Sequence, residues 1–380
     1  MCGIIGVTGE ADALPLLLGA LHQLEYRGYD SAGVALVADG AIWRARAAGG
    51  TTSVATLAER TAAGSDSGSG SPRGHAAAIG HTRWATHGSP TEENAHPHLD
   101  CTGRLALIHN GIIENHAELR AELEVAGHTF TSATDTEVMA HLIEAGMADG
   151  LSLTEATRAV LRRLRGSFSV AVISSDEPDT IVAACRLTPL VLGLSDGKAF
   201  LASDIPALIG HTRRVFTLDN DQLAVLTPGA LTVMTLDGEP VELEERTITW
   251  DLEAAQKGGY EDFMSKEIEE QPVAIADTLL DRRAAGGELF LDEMRLSVDE
   301  LRAIDKVFIV ACGSSYHAAL VAKYALERWV KVPVEVDIAS EFRYRDPVLN
   351  ARTLCVGVSQ SGETLDTAEA VEAAAFFSNL

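Results

Sequence analysis

The sequence predicts two fold classes in succession, an α+β domain followed by a doubly wound parallel α/β domain. Before residue 245, many short apolar segments alternate with few helical ones, which is typical of stacked sheets with helices on their outer faces. From Asp305 the pattern changes to strand–turn–helix units, which is typical of a parallel sheet. We therefore expect domains at 2–240 and 286–380, joined by a linker and helical connection over 241–285.

The elements of the first domain follow from apolar spacing and from turn residues. Leucines recur on one face between Asp12 and Leu24, which predicts a helix after an opening strand at 2–8. Asp39-Gly40 between two apolar runs predicts a β-hairpin, and the Gly/Ser-rich segment 64–74 predicts a flexible surface insertion. The other predicted strands are 33–37, 41–46, 77–82, 105–109, 167–174, 180–185, 190–194, 199–203, 214–218, 223–227 and 230–235, and the other helices are 114–126, 135–148 and 153–164.

In the second domain, the predicted strands are 306–311, 334–337 and 353–358. A turn at Cys312–Ser315 precedes a helix that runs to about Trp329, and a turn at Ser359–Thr364 precedes an alanine-rich helix. Backbone N–H groups, hydroxyls and the positive end of a helix dipole make such turns suitable for a phosphate group. The simpler alternative is ordinary capping of the helices by serine and threonine.

Composition narrows the class of protein. A formal net charge of −25 disfavours nucleic acid and anionic membrane surfaces as partners. The cysteines contain no CxxC pair, which argues against a disulfide framework or a zinc knuckle; they are Cys2, Cys101, Cys185, Cys312 and Cys355. We find neither a signal peptide nor an apolar run near the ~20 residues of a membrane span. We expect a cytoplasmic protein with reduced thiols.

Cys2 is a candidate nucleophile. Methionine aminopeptidase removes Met1 when the next side chain is small, which would leave one residue with a thiol and a free α-amine. An α-amine has a reference pKa of about 7.7–8.0, so it could serve as the base that activates its own side chain. Alternatively, Cys2 is a small apolar residue that opens a buried strand. The first six residues alone leave both interpretations open.

Four polar segments could supply the rest of an active site, and the first of them, 25–33, closes the first helix. Arg83 ends a predicted strand, and its planar guanidinium suits a carboxylate. Asn110-Gly111 places a side-chain amide beside a glycine N–H, a pair that could hold an oxyanion. Asp135 could place a carboxylate at a helix N-terminus. The simpler alternatives are a surface ion pair for Arg83, a turn at Asn110-Gly111 and an N-cap at Asp135.

Metal binding is disfavoured. The run from Asn94 to His98 contains two histidines, but no carboxylate or cysteine stands at ligand spacing from them. A thiol, an amine and oxyanion donors are sufficient for amide chemistry. We therefore expect no metal and no organic cofactor.

Six ordered segments resemble a known class. MCGIIG, LEYRGYDSAG, HTRWATHG, NAHPH, HNGIIENH and TDTE closely resemble the N-terminal-cysteine glutamine amidotransferases, a class of the N-terminal nucleophile hydrolase superfamily. Together with EFRYR and SQSGET further along the chain, they resemble the isomerizing glutamine–fructose-6-phosphate aminotransferase family in particular. The resemblance implies a four-layer αββα glutaminase domain, followed by a sugar isomerase (SIS) domain.

The resemblance also implies roles for individual residues. Cys2 would be the nucleophile, and Asn110 with the N–H of Gly111 would form the oxyanion hole. The substrate glutamine would be held by Arg83, Trp84, Thr86, His87 and Asp135, with Arg83 on its carboxylate, Asp135 on its ammonium group and Trp84 as a gate. The sugar phosphate would be held by Gly313, Ser314, Ser315, Ser359, Gln360, Ser361 and Thr364. The family more often has threonine where Ser314 stands, and the hydroxyl is kept.

The implied activity is transfer of the glutamine amide nitrogen to fructose 6-phosphate, which gives glucosamine 6-phosphate and glutamate. The resemblance also implies that the full-length family enzyme is a homodimer. The chain stops at Leu380, before the rest of the first SIS domain, the second SIS domain and the isomerization residues of the family. We therefore expect a truncated chain with a partial SIS domain, limited to glutamine hydrolysis. Two alternatives remain: an amidotransferase for phosphoribosyl pyrophosphate or aspartate, and a non-catalytic sugar-phosphate sensor with a relic glutaminase domain.

Overall fold

A computed structural model describes residues 2–63, 76–85, 88–188, 190–248, 260, 263–280, 296–360, 362 and 364–377. The chain divides into two compact units between Phe263 and Met264. This division falls inside the connection expected at 241–285, and the exact limits of the two domains remain a prediction. The insertion predicted at 64–74 lies outside the described residues.

Two antiparallel sheets form the centre of the first unit. Its strands are β1 (Gly3–Thr8), β2 (Ser31–Ala38), β3 (Ala41–Ala48), β4 (Ala77–Arg83), β5 (His98–Leu99), β6 (Leu105–Ile113), β7 (Gly166–Ser174), β8 (Glu177–Arg186), β9 (Leu190–Ser195), β10 (Lys198–Ala202), β11 (Arg214–Leu218), β12 (Gln222–Thr227), β13 (Ala230–Thr235), β14 (Pro240–Val241) and β15 (Arg246–Thr247). The first sheet has the order β15-β11-β9-β10-β1-β4-β2-β3, and the second has the order β14-β13-β12-β8-β7-β6-β5.

Helices cover the outer face of each sheet. They are α1 (Ala13–Gln23), α2 (Ser53–Ala63), α3 (His116–Val125), α4 (Glu137–Ala148) and α5 (Leu153–Leu161). Leu17 of α1 and Leu57 of α2 pack on the first sheet, whereas α3, α4 and α5 pack on the second. Ile4 and Ile108 belong to a third apolar cluster, which lies between the sheets. These layers confirm the αββα architecture.

Two local features of the first unit differ from the prediction. Helix α2 was not predicted, because four of its six apolar residues are alanines and only one face, with Val54 and Leu57, is buried. Asn110-Gly111 does not form a turn, since β6 continues through both residues to Ile113 and pairs with β7 along this length. The turn alternative is therefore wrong.

The second unit contains a parallel sheet with the order β17-β16-β18, built from β16 (Lys306–Ala311), β17 (Val334–Ile338) and β18 (Thr353–Val358). Its helices are α6 (Phe263–Leu280), α7 (Val298–Ala303), α8 (Gly313–Val330), α9 (Ala339–Phe342) and α10 (Leu365–Phe377). Apolar clusters cover both faces of β16, one containing Phe308 and Val310 and the other containing Ile309. The predicted parallel α/β architecture is confirmed. No helix in the described part of the chain is long and apolar enough to cross a membrane.

Candidate active site

The backbone next to Cys2 is fixed by the two strands that flank β1 in the first sheet. The N–H of Gly3 donates to Oγ1 of Thr82 over 3.1 Å, and the N–H of Ile4 donates to Oγ of Ser203 over 2.9 Å. A Cβ atom at Gly3 would lie 2.5 Å from Thr82 Oγ1, so only glycine fits there. The start of β1 is therefore held in place at the residue after the candidate nucleophile.

The Cys2 thiol has polar partners of its own. The backbone N–H of Trp84 donates to Sγ over 3.1 Å, and the thiol faces the Trp84 carbonyl oxygen at 3.4 Å. Burial raises the pKa of the thiol, while the Trp84 N–H and nearby positive charges, including Arg83 and Arg27, oppose this shift. A thiol with a raised pKa needs a base to become a thiolate, and an adjacent α-amine is suited to that task.

Asn110 brings its carboxamide to the same place. Its Nδ2 donates to the carbonyl oxygen of Cys2 over 2.9 Å. Arg27, from a short 3-10 helix after α1, also directs its Nε at this carbonyl, at 3.3 Å. Although Asn110 and Cys2 lie in different sheets of the sandwich, the fold places an amide donor beside the candidate nucleophile.

Gly111, the next residue of β6, has a backbone conformation that other residues rarely adopt. Its φ is +131°, and a Cβ atom there would lie 2.1 Å from the carbonyl oxygen of Ser167 on the neighbouring strand. The glycine therefore allows the two strands to approach closely beside Asn110.

Arg83 ends β4, and its guanidinium donates to the carbonyl oxygens of Gly88 and Ser89 at 3.2 and 3.3 Å. Burial lowers the pKa of this guanidinium, whereas the negative charges of Cys2, Asp135 and Asp30 act in the opposite direction. Arg83 and Asp135 are the cation and the anion that were predicted to hold an amino acid.

Asp135 is not the N-cap of α4. The helix begins at Glu137 with Thr136 as its N-cap residue, whose side chain makes no capping hydrogen bond. Asp135 Oδ2 instead accepts a hydrogen bond from the N–H of Ile113, at 2.8 Å, where β6 ends. The N-cap alternative is wrong, and the carboxylate is tied to the strand that carries Asn110 and Gly111.

Trp84 places its indole at the surface beside Cys2. The side chain is 45% exposed, and its ring lies edge-on to Tyr29 with ring centroids 5.4 Å apart. The role of Trp84 as a gate remains a prediction. The other two predicted substrate residues, Thr86 and His87, lie outside the described residues.

The sequence did not indicate that buried histidines lie next to Asn110, although the two in the run from Asn94 to His98 had been considered as metal ligands. Burial lowers the pKa of His81 and of His98 to about 3, and that of His96 well below its usual value. All three are therefore neutral near pH 7. The sequence position of His81 could have indicated its place near the site. His81 lies two residues before Arg83 and therefore on the same face of β4.

The predicted phosphate turns both follow the carboxyl ends of neighbouring parallel strands. Gly313 has a φ of +57° and opens α8, so Ser314 and Ser315 lie in the first turn of this helix. After β18, the Ser359 hydroxyl lies 3.0 Å from Thr364 Oγ1 and accepts a hydrogen bond from the Gly362 N–H. Gln360 is exposed. Ser361 lies outside the described residues.

Comparisons with family models divide the chain in the same way. Residues 81–210 match a glutamine amidotransferase domain, and residues 300–376 match an SIS domain. A solved structure of glutamine phosphoribosylpyrophosphate amidotransferase from B. subtilis superimposes with a TM-score of 0.53 at 20% identity, covering 95% of this chain and 69% of that one. This likeness shows a shared fold.

Curated relatives are similar along nearly the whole chain. The isomerizing glutamine–fructose-6-phosphate aminotransferase of Streptomyces coelicolor is 50% identical over 368 residues, which cover 97% of this chain and 58% of the relative. The enzyme of the same name from Mycolicibacterium smegmatis is 52% identical over 381 residues, covering 98% of this chain and 60% of the relative. The chain therefore spans about 60% of the length of the curated relatives that it matches.

Proposed function

Because the chain belongs to the family of isomerizing glutamine–fructose-6-phosphate aminotransferases, we propose that its first unit hydrolyses the side-chain amide of glutamine with Cys2 as the nucleophile. The observation that supports this most strongly is the convergence of two hydrogen-bond donors on Cys2. The Trp84 N–H reaches its sulfur and the Asn110 amide reaches its carbonyl oxygen.

In the proposed reaction, Met1 is removed and the α-amine of Cys2 takes the thiol proton. The thiolate attacks the side-chain amide carbon of glutamine, and the amide oxygen becomes an oxyanion. The Asn110 amino group and the Gly111 N–H donate to this oxyanion. The α-ammonium then returns the proton to the departing nitrogen, so that ammonia leaves and a γ-glutamyl thioester remains. Water hydrolyses the thioester to glutamate and restores the thiol.

The charges near Cys2 suit the two ends of an amino acid. We assign the α-carboxylate of glutamine to Arg83, whose fork matches two carboxylate oxygens, and its α-ammonium group to Asp135. The attachment of Asp135 to Ile113 at the end of β6 supports this assignment, since it holds the carboxylate at a fixed distance from Asn110 and Gly111. Thr86 and His87 would complete the substrate pocket, with Trp84 as its gate.

For the second unit we propose binding of fructose 6-phosphate, the acceptor of the released ammonia. The family enzyme would then form glucosamine 6-phosphate as a homodimer. The N-terminal turns of α8 and α10 support a phosphate site, because both helices begin at the same edge of the parallel sheet. The residues assigned to it are Gly313, Ser314, Ser315, Ser359, Gln360, Ser361 and Thr364.

A glutaminase assay tests the central claim. Release of glutamate from glutamine is measured for the wild type, Cys2→Ala and Cys355→Ala, with and without fructose 6-phosphate. Cys355 belongs to the second unit and has no role in the proposed reaction. Its variant therefore controls for the loss of one thiol. We expect hydrolysis by the wild type and by Cys355→Ala, and none above background by Cys2→Ala. Equal rates in all three proteins would exclude Cys2 as the nucleophile.

Mass spectrometry of the intact N-terminus separates the enzyme from a non-catalytic sugar-phosphate sensor. We expect a chain that begins at Cys2, because the mechanism needs a free α-amine on that residue. Complete retention of Met1, together with fructose 6-phosphate binding and no glutamate release, would identify the sensor instead.

A further inference from the structure

Four side chains with metal-binding atoms meet on the helical side of the second sheet. They are Cys101, His128, His141 and Glu144, called the Cys101 cluster below, and their ligand atoms all lie within 4.8 Å of one another. Cys101 lies in the turn between β5 and β6, and His128 follows α3, whereas His141 and Glu144 lie on α4. Three separate segments of the chain therefore converge on one point.

Four of the six distances between these atoms are close to those of a tetrahedral coordination shell, and the other two are below 4.8 Å. Cys101 Sγ lies 3.6 Å from His128 Nδ1 and 3.4 Å from His141 Nδ1. Glu144 Oε2 lies 3.2 Å from His128 Nδ1 and 3.3 Å from His141 Nδ1. With Zn–S near ~2.3 Å and Zn–N near ~2.0–2.1 Å, the ligand atoms of a tetrahedral zinc ion are about 3.3–3.6 Å apart.

The fold fixes the positions of these ligands. His141 and Glu144 are three residues apart on α4 and so share one face of the helix, and the side chain of His141 is only 1% exposed. The N–H of Cys101 donates to Glu144 Oε2 over 3.1 Å, which holds the carboxylate toward the sulfur. The carboxylate of Glu137 lies 3.8 Å from Nε2 of His141, the nitrogen that faces away from the cluster.

We propose that the Cys101 cluster binds one Zn²⁺ ion. One sulfur, two imidazole nitrogens and one carboxylate oxygen form a mixed donor set that suits zinc and does not suit Mg²⁺ or Ca²⁺, which prefer oxygen ligands. Four protein ligands fill a tetrahedral shell, so the site is structural. The ion joins the β5–β6 turn and the end of α3 to α4, and thereby fixes the segment from His128 to α4 that carries Asp135.

We expected no metal from the sequence because no ligand residue stands at short spacing from the histidines of the Asn94–His98 run. Cys101 and His128 are far apart in sequence and lie on opposite sides of β6 and α3 along the chain, so no short spacing signals the site. His141 and Glu144 are close in sequence, but an i, i+3 His–Glu pair is common on ordinary helices. Only the packing of α4 against the second sheet brings the four groups together.

Metal content is measured on the full 380-residue chain, purified without chelators or a metal-affinity tag, by inductively coupled plasma mass spectrometry. We expect about one equivalent of zinc in the wild type, the same in Cys2→Ala, and loss of zinc in Cys101→Ser. Cys101 is exposed, so its replacement by serine is compatible with folding, which far-UV circular dichroism checks. Cys2→Ala controls for metal that binds to the thiol of the candidate nucleophile instead of to Cys101.

Cobalt supplies a second measurement that does not depend on glutaminase activity. Co²⁺ added to the metal-free wild type should give the intense visible bands of a tetrahedral ion and a thiolate-to-cobalt charge-transfer band, which Cys101→Ser should lack. Removal of the metal should also lower the unfolding temperature of the wild type but not that of Cys101→Ser. A wild type that holds no zinc and develops no thiolate band with Co²⁺, or a Cys101→Ser variant that binds metal as the wild type does, would overturn the proposal.

Discussion

His81 fixes the orientation of the Asn110 carboxamide. Nε2 of His81 lies 2.9 Å from Asn110 Oδ1 and 3.1 Å from the carbonyl oxygen of His109. Because a carbonyl oxygen only accepts hydrogen bonds, Nε2 carries the proton, and the Asn110 atom that faces it is the oxygen. The amino group of Asn110 therefore points at Cys2, which is the orientation that an oxyanion donor requires.

We predict that His81 acts on catalysis only through Asn110. Asn110→Ala should lower kcat for glutamine hydrolysis by about 10²–10³-fold, the usual effect of removing an oxyanion donor. His81→Leu should also lower kcat, by about 10²-fold, because the amide loses its orientation, and should leave KM nearly unchanged. His81→Gln, which keeps an N–H near the position of Nε2, should restore much of the rate.

The decisive measurement is the double-mutant cycle. When Asn110 is already alanine, His81→Leu should have little further effect on kcat, since there is no amide left to orient. Additive losses in the double variant would show instead that His81 supports the site through general packing.

The buried histidines predict a pH dependence of stability. Burial lowers the pKa of His81 and of His98 to about 3, whereas unfolded histidine titrates near ~6.5. Between these values the unfolded chain binds a proton at each position and the folded chain does not. Stability is therefore complete above the unfolded pKa and falls as the pH is lowered, by about 1.4 kcal/mol per pH unit for each histidine.

His98→Gln tests this slope. Urea unfolding followed by tryptophan emission should give a free energy of unfolding that depends less on pH in the variant than in the wild type between about pH 6 and pH 4. The slope, rather than the absolute stability, is the quantity compared, because the substitution also changes packing. His317→Gln, at an exposed position of α8, controls for the replacement of a histidine by glutamine. An unchanged slope in His98→Gln would contradict the prediction.

Local chemistry explains why most of the fold could be predicted. Asp39 and Gly40 have φ values of 51° and 74°, as a two-residue hairpin turn requires. Aspartate followed by glycine favours positive φ at both positions, so the two residues alone predict the turn. The apolar face of α1 is likewise visible in the sequence as a spacing of leucines. Helix α2 was missed because alanines make up most of its apolar residues, so the face that packs against β2 and β3 is only weakly apolar.

The candidate site was predictable only in part, for a different reason. The positions of Cys2, Arg83, Asn110 and Asp135 were indicated by a resemblance to known enzymes, whereas their contacts depend on tertiary structure. The bond from Ile113 to Asp135 joins the end of β6 to the segment before α4. The packing of the layers determines such hydrogen-bond partners. No local sequence pattern could therefore show that Asp135 accepts from Ile113 instead of capping α4.

We predict that Gly111 tolerates no side chain, in contrast to Gly40, whose φ is also positive. Gly40→Ala, in the hairpin where a Cβ atom meets nothing within 4 Å, should cost only the backbone strain of a positive φ, about 1–2 kcal/mol. Gly111→Ala should cost clearly more, because a Cβ atom 2.1 Å from the Ser167 carbonyl oxygen must also push β6 and β7 apart. Urea unfolding of both variants gives the comparison. In whatever fraction of Gly111→Ala remains folded, glutamate release should be lost, since the displaced strand carries Asn110. Equal costs for the two substitutions, or full activity in Gly111→Ala, would show that the close approach of β6 and β7 is not needed to build the site.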